Sequence, residues 1–314
     1  MNLIGKLQPV TIIGSALIGL ILGALTSFGE ISSGLIEVFL MLLLYILFLS
    51  VDLKQLKKSL TNIRYTGASV AINFIITPIV GYILGNIFFE NSIDIRIGLL
   101  MLLITPCTDW YLVFTGLSKG NVELNMSILP LNLILQIVLM PVYLLIFMGS
   151  EVVMDVTTIV GSIVMVLFIP FAGSAVTKMI TKNNEKFWQF ISAQCDNLQL
   201  LFLCFAVVMM FASEGKNLLE NPMLLLEMFI PLLIFFVVTF FIAQGVGRIL
   251  RFEKKDIVAL NFTTLARNSP LSLAIAVVTF PERPFISLAL VIGPLIELPV
   301  LSVISGILLR WNRS

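Results

Sequence analysis

Thr105-Pro106-Cys107-Thr108-Asp109 and Arg267-Asn268-Ser269-Pro270 stand near the middle of two otherwise apolar runs, residues 95–117 and 257–280, and their reading decides the fold. Each couples a proline to hydroxyl or amide side chains and to one charge at a single depth. Proline within a helix removes a backbone hydrogen bond and crowds the preceding turn. Peptide groups freed in hydrocarbon are costly, so such a break persists only where protein covers it or water reaches it. A lone Asp or Arg at the centre of a membrane helix costs about 2.5–3.5 kcal/mol on insertion scales, which turns both charges away from lipid. The two runs are therefore expected to be broken helices, at Pro106 and Pro270, that cross with Asp109 beside Arg267.

The rest of the chain supplies the lipid setting for that reading. Hydrophobic residues make up 59% of the 314, charged ones 12%, and mean hydropathy is +1.07. A water-soluble domain carries about 25% charged residues, so this chain lacks the means to cover a solvated surface. Ten apolar runs lie at 9–28, 34–50, 66–89, 95–117, 124–148, 157–180, 189–212, 223–249, 257–280 and 285–309. Each is near the roughly 20 residues that a bilayer core requires. No small-x-small cleavage site follows the first run, so it is read as a helix and not as a signal peptide. Of the nineteen Lys and Arg residues, all but Arg96, Lys216, Arg283 and Arg267 lie at the termini or after the second, fourth, sixth and eighth runs. Basic flanks resist translocation, which puts both termini in the cytoplasm of a multi-pass protein of the cell (plasma) membrane. A net charge of +1 offers nothing to nucleic acid.

Prolines also mark an internal symmetry. Pro106 and Pro270 are 164 residues apart, and so are Pro130 and Pro294 (270 − 106 and 294 − 130). Around the second pair, Ile-Leu-Pro-Leu-Asn at 128–132 resembles Ile-Gly-Pro-Leu-Ile at 292–296. Inverted halves of this kind build many secondary transporters. The expected fold is an all-α membrane protein, one transporter domain over residues 1–314. It is made of ten transmembrane helices in two inverted five-helix repeats, about 1–150 and 151–314, with the broken fourth and ninth helices crossing at the midplane.

Candidate residues follow from the breaks. Cys107, Thr108, Asp109, Arg267, Asn268 and Ser269 are the substrate-binding candidates, for a small inorganic or organic solute. The Asp109–Arg267 pair has a second reading, as a lock between two helices. Glu297, in Gly293-Pro294-Leu295-Ile296-Glu297-Leu298-Pro299, falls in what reads as a doubly proline-flanked interruption of the tenth run. Loss of water disfavours a carboxylate's charge, so Glu297, with Asp109, is the proton-coupling candidate; a permanently protonated acid bonded to a carbonyl is the alternative. Asp196, Asn197 and Gln199 read as hydrogen-bonding structure nearer the cytoplasmic side, Glu37 and Glu227 as interfacial. Cys195 and Cys204 are nine residues apart, about 900° around a helix and hence on opposite faces. They cannot both share a site with Cys107. A thiolate at a break suits a soft metalloid or metal, whereas a lone buried cysteine is otherwise packing. Histidine is absent, no nucleophile–base pair is visible and no cofactor is implied, so an intramembrane enzyme is not expected.

At these residues the chain resembles the arsenical-resistance-3 type arsenite efflux permeases, within the bile acid:sodium symporter superfamily. The similar stretches are Thr105-Pro106-Cys107-Thr108, Leu273-Ala274-Ile275-Ala276-Val277 and the nine residues from Gly293 to Leu301. Leu117-Ser118-Lys119-Gly120-Asn121-Val122 looks like the wider superfamily. The resemblance implies a panel and a core domain, the core containing the crossed helices. It also implies that Cys107 handles arsenic(III) and that Glu297 supports proton-coupled export, an antiport conferring arsenical resistance. The chain departs from the permeases at Asp109, where they carry a small residue. It departs again at Ser269-Pro270-Leu271-Ser272, where they carry an Asn-Asn-Phe-Glu type sequence. Set against the sodium symporters, the Ser-Asn pair of their cation site falls on Tyr111 and Leu112, and its Glu and Gln fall on Thr263 and Arg267. A site that loses its carboxylate and gains an arginine is not expected to hold sodium. The Arg267 guanidinium is expected in sodium's electrostatic place, with Asp109 as partner. The alternative function is transport of a small organic anion paired with Arg267.

Overall fold

The structure, a computed structural model, describes residues 3–26, 28–50, 61–108, 110–149, 156–181, 185–220 and 222–313. Among these residues the chain is helical, joined by short turns, and a single isolated backbone bridge is its only extended pairing. Helix α1 spans Leu3–Leu25 and α2 Phe28–Ser50. From residue 63 the chain runs as α3 (Ile63–Ala71), a π-helical turn (Ile72–Ile76) and α4 (Thr77–Phe88). The fourth apolar run is split into α5 (Ile93–Leu103) and α6 (Trp110–Leu117). Next come α7 (Val122–Met148), α8 (Val156–Thr181), α9 (Glu185–Glu220) and α10 (Pro222–Ile249). The ninth run is split into α11 (Lys254–Leu265) and α12 (Ser269–Thr279), and α13 (Pro284–Arg313) closes the described chain. Four stretches, Ile63–Phe88, Val122–Met148, Pro222–Ile249 and Pro284–Trp311, are long and apolar enough to cross a bilayer.

The breaks in the fourth and ninth runs stand where proline meets polar residues. The interruption expected at Gly293–Pro299 does not occur, and α13 runs through both Pro294 and Pro299. A proline forfeits one donor and bends a helix without having to end it, and α13 accommodates both.

The chain packs as two compact units. The first holds α1, α2, α8 and α9 together with Leu273–Val291. The second holds α3 to α7, α10 from Leu225, α11 with Ala266–Ser272, and α13 from Ile292. Within the first, α9 packs on α1 and α2, and α2 packs on α8. Tyr45 Oη and Thr177 Oγ1, 2.8 Å apart, bond α2 to α8. Cys195 packs with Ile46 and Leu49, as an ordinary apolar residue does. Within the second unit, α11 lies against α3, α6 and α7. Asn125 of α7 ties these elements at one end: it accepts from Tyr65 Oη at 2.6 Å and donates to Thr115 Oγ1 (2.8 Å) and Ala259 O (3.0 Å). Both breaks belong to this second unit.

Close approach of α1 to α9 depends on glycine. A Cβ at Gly19 would lie 2.5 Å from Val208 O and 2.8 Å from Phe211 Cβ, atoms fixed to the α9 backbone. Gly19→Val is expected to force the two helices apart at a cost of about 1–3 kcal/mol, read as a melting midpoint several degrees lower in detergent. Gly14→Val, where nothing lies within 4 Å, is expected to melt no lower than the unmodified protein.

Candidate functional site

The two gaps between half-helices lie antiparallel against each other. Cys107 N–H donates to Ala266 O at 2.9 Å and Asn268 N–H to Thr105 O at 2.8 Å, which brackets Pro106 opposite Arg267. In this register the facing pair is the non-hydrogen-bonded one, so its own N–H groups point away from the partner strand. Pro106 has no N–H to place, and proline is at home there. Arg267 has one, and Glu297 Oε1 accepts it at 2.9 Å. Thr105 Oγ1 and Ser272 Oγ share a bond of 2.7 Å, and Ser272 Oγ reaches Met101 O at 2.9 Å. Peptide groups that proline and the breaks set free are thus paired across the crossing.

Arg267 is 2% exposed, and its guanidinium reaches the carboxyl ends of both half-helices. Nη1 donates to Leu103 O at 2.8 Å, Nε to Leu265 O at 3.3 Å, and Nη2 to Thr264 O and, at 2.9 Å, to Asn73 Oδ1. The last carbonyls of a helix have no donor of their own and carry the negative end of its dipole, so they suit a buried cation. Cζ also stands 5.4 Å from the Phe235 ring, a favourable cation–π distance. Hydrogen bonds to a charged group contribute roughly 1.5–3 kcal/mol each. Together they outweigh the approximate 2.5–3.5 kcal/mol insertion cost of an arginine. Asp109, the expected partner, lies outside the described residues. Asn73 is a partner that sequence reasoning missed. It is fully buried in the π-helical turn, where its Nδ2 donates to Thr263 O at 3.2 Å. Such turns often sit at functional positions. The available signal was one amide in the apolar stretch Ala71-Ile72-Asn73-Phe74.

The amino ends of the other half-helices are capped from within the same gaps. Cys107, 4% exposed, accepts Trp110 N–H on its sulfur at 3.2 Å. The sulfur therefore sits at the amino end of α6. Asn268 Oδ1 accepts Leu271 N–H at 3.2 Å at the start of α12, and its Nδ2 reaches Thr108 Oγ1 at 3.4 Å across the crossing. Pro270 occupies the first turn of α12, where a missing N–H costs nothing. Thr108 and Ser269 are buried here as well. Cys107, Thr108, Arg267, Asn268, Ser269 and Glu297 accordingly gather with Pro106 and Pro270 in one place. The side chains of Glu37, Asp196 and Gln199 lie outside those described; Asn197 is exposed and donates to Gln194 Oε1 at 3.4 Å. Glu227 is exposed on α10. Among the described residues no three His, Cys, Asp or Glu side chains cluster as metal ligands.

The sequence pattern of the sodium bile acid symporter family matches residues 37–221, more than half of the chain. The chain is 25% identical over 275 residues to the arsenical-resistance protein Acr3 of Corynebacterium glutamicum, covering 83% of this chain and 74% of that protein. It is 22% identical over 280 residues to the arsenical-resistance protein Acr3 of Alkaliphilus metalliredigens, covering 85% and 78%. An uncharacterized Bacillus subtilis protein, YbaS, is 25% identical over 264 residues, covering 83% and 84%.

The guanidinium's bonds define a stability series. Arg267→Met leaves buried acceptors on Leu103, Thr264, Leu265 and Asn73 without their donor, at about 1–3 kcal/mol for each that stays unmatched. Arg267→Lys keeps the charge but loses the planar fork that spans two helix ends. Melting midpoints in detergent are expected to fall in the order unmodified protein, Arg267→Lys, Arg267→Met; equal midpoints would contradict the assignment.

Proposed function

The chain belongs to the sodium bile acid symporter family, and from that premise we propose that this membrane transporter exports arsenite, or a closely related small metalloid, across the plasma membrane in exchange for protons. One observation carries the substrate: the Cys107 sulfur caps α6 inside the crossing, in a chain with relatives named for arsenical resistance. Arsenite at neutral pH is the uncharged trihydroxide of arsenic(III), a soft centre that prefers sulfur. The thiol displaces one hydroxide as water, Cys–SH + As(OH)3 → Cys–S–As(OH)2 + H2O. One S–As bond replaces one As–O bond, the thiol proton leaves in the water, and the oxidation state does not change. Hydrolysis reverses the step on the other side. Thr108, Asn268 and Ser269 offer polar groups to the remaining hydroxyls.

Glu297, with Asp109, carries the coupling proton. Its bond from Arg267 N–H is compatible with that role, because a carboxylic acid keeps a carbonyl oxygen and accepts in either protonation state. Arg267 stands in the electrostatic place of a coupling cation. Its guanidinium meets oxygens of Leu103, Thr264, Leu265 and Asn73, the kind of carbonyl-rich setting that replaces an alkali ion's hydration shell. An organic anion seeking to pair with Arg267 would find those donors engaged, which favours the metalloid over that alternative. Two inverted five-helix repeats, about 1–150 and 151–314, crossing at the midplane within a core domain beside a panel domain, complete the reading. The distribution of Lys and Arg supports cytoplasmic termini.

In inside-out vesicles, arsenite uptake is expected to follow an acid-inside proton gradient, to be indifferent to sodium, and to be abolished by Cys107→Ala. Cells making the unmodified protein should accumulate less arsenite than cells making that variant. Unmodified vesicles that move no arsenite under a proton gradient would refute the substrate, and sodium-stimulated flux would refute the role given to Arg267.

A further inference from the structure

Within the second unit, a row of uncharged polar side chains leads away from Arg267. Asn73 Oδ1 accepts from Arg267 Nη2 at 2.9 Å, and Asn73 Nδ2 donates to Thr263 O at 3.2 Å. Asn132 Nδ2 then donates to Thr263 Oγ1 at 3.3 Å. Gln136 follows Asn132 by four residues on α7 and so lies on the same face. Asn132 and Gln136 are each 1% exposed, yet Asn132 Oδ1 and both Gln136 Oε1 and Nε2 have no hydrogen-bond partner. Turning either amide over exchanges which atom is open and leaves as many open. In lipid such unmade bonds are not recovered from bulk water, so a buried amide with free capacity is costly unless something visits it. Packing alone makes no demand for an amide, since Leu133 and Met140 of the same helix are buried hydrophobics. Pro130, two residues before Asn132, sits inside α7 and weakens its backbone bonding where the row begins.

A primary amide presents a donor and an acceptor side by side, and a hydroxyl group is its complement. A charged solute would find no counter-charge on either side chain. We propose that Asn132 and Gln136 form a second polar subsite, beyond the crossing, that binds the O–H groups of an uncharged hydroxide solute on its way past α7. This rests on the reading of arsenite export and adds where the solute's oxygens are held once they leave the neighbourhood of Cys107.

The test is arsenite flux in proteoliposomes carrying the unmodified protein, Gln136→Met or Asn132→Ala, with antimonite as a second trihydroxide. Loss of one neutral hydrogen bond to the solute predicts a KM about three- to tenfold higher for both solutes, with an unchanged maximal rate. The Gln136→Met midpoint should be no lower than that of the unmodified protein, because neither polar atom of that amide is matched; Asn132→Ala also gives up the bond to Thr263 Oγ1 and is read by KM alone. A KM within about twofold of the unmodified protein's in both variants, less than one hydrogen bond's worth, overturns the subsite. So does a Gln136→Met protein that melts several degrees lower or fails to fold, since that marks an amide used for structure. Unmodified protein that transports neither solute refutes the export reading instead, a result told apart by that trace alone, and the subsite falls with it.

Discussion

Two helices interrupted in an apolar domain leave peptide groups that hydrocarbon will not hydrate, and everything at the crossing answers to that demand. The gaps pair with each other through Cys107 N–H to Ala266 O and Asn268 N–H to Thr105 O. That register leaves the N–H groups of residues 106 and 267 pointing outward. A proline at 106 removes the need for an acceptor on one side, and Glu297 supplies the acceptor on the other. Proline and glutamate, distant in sequence, are two solutions to the same problem on opposite strands of one bridge. Neither break is intelligible alone, because each satisfies the other.

The crossing also has two electrostatic sides. The carboxyl ends of α5 and α11 converge on the Arg267 guanidinium, while the amino ends of α6 and α12 are capped by the Cys107 sulfur and the Asn268 amide. Helix dipoles favour this sorting, cation toward carbonyls and electron-rich cap toward amides. The first side is matched within the protein. On the proposed reading, chemistry toward a solute falls to the second, where a polarisable sulfur stands among hydroxyl and amide groups.

Much of this was legible in the sequence, and the parts that were not share a cause. The breaks announce themselves because Thr105 to Asp109 and Arg267 to Pro270 put proline and charge together near the middle of mainly apolar runs. The same inference misjudged Gly293 to Pro299, where α13 absorbs two prolines; a proline removes one donor and does not by itself end a helix. Arg267 was expected to need an acid, and Asp109 was the acid at hand. Asp109 lies outside the described residues; among those described, the guanidinium meets main-chain oxygens at helix ends and one amide, Asn73. Carbonyls at a helix terminus are present in every sequence, so they leave no mark in any. Asn73 did leave one, but its use depends on a π-helical turn and a partner 194 residues away, which local patterning does not encode.

A tethered cation constrains how such a transporter resets. A dissolved ion arrives, binds the carbonyl ends and departs, and its departure is what releases the opposite conformation. The Arg267 guanidinium cannot leave, so the carbonyl side of the crossing carries the same charge in every state and contributes no cycle of its own. On the proposed reading the changing charge must come from a group that gains and loses a proton. Histidine is absent from the chain, and lysines gather at the loops and termini, which leaves buried carboxyl groups. Among the described residues Glu297 is the buried carboxyl joined directly to the bridge, through the backbone of the residue that bears the fixed cation. On that reading, protonation there would alter the field at Arg267 and leave the carboxyl's bond from Arg267 N–H in place. A single acid can in this way change the charge of the crossing while leaving its hydrogen bonding intact, which is the combination that a repeated transport cycle in a dry domain requires.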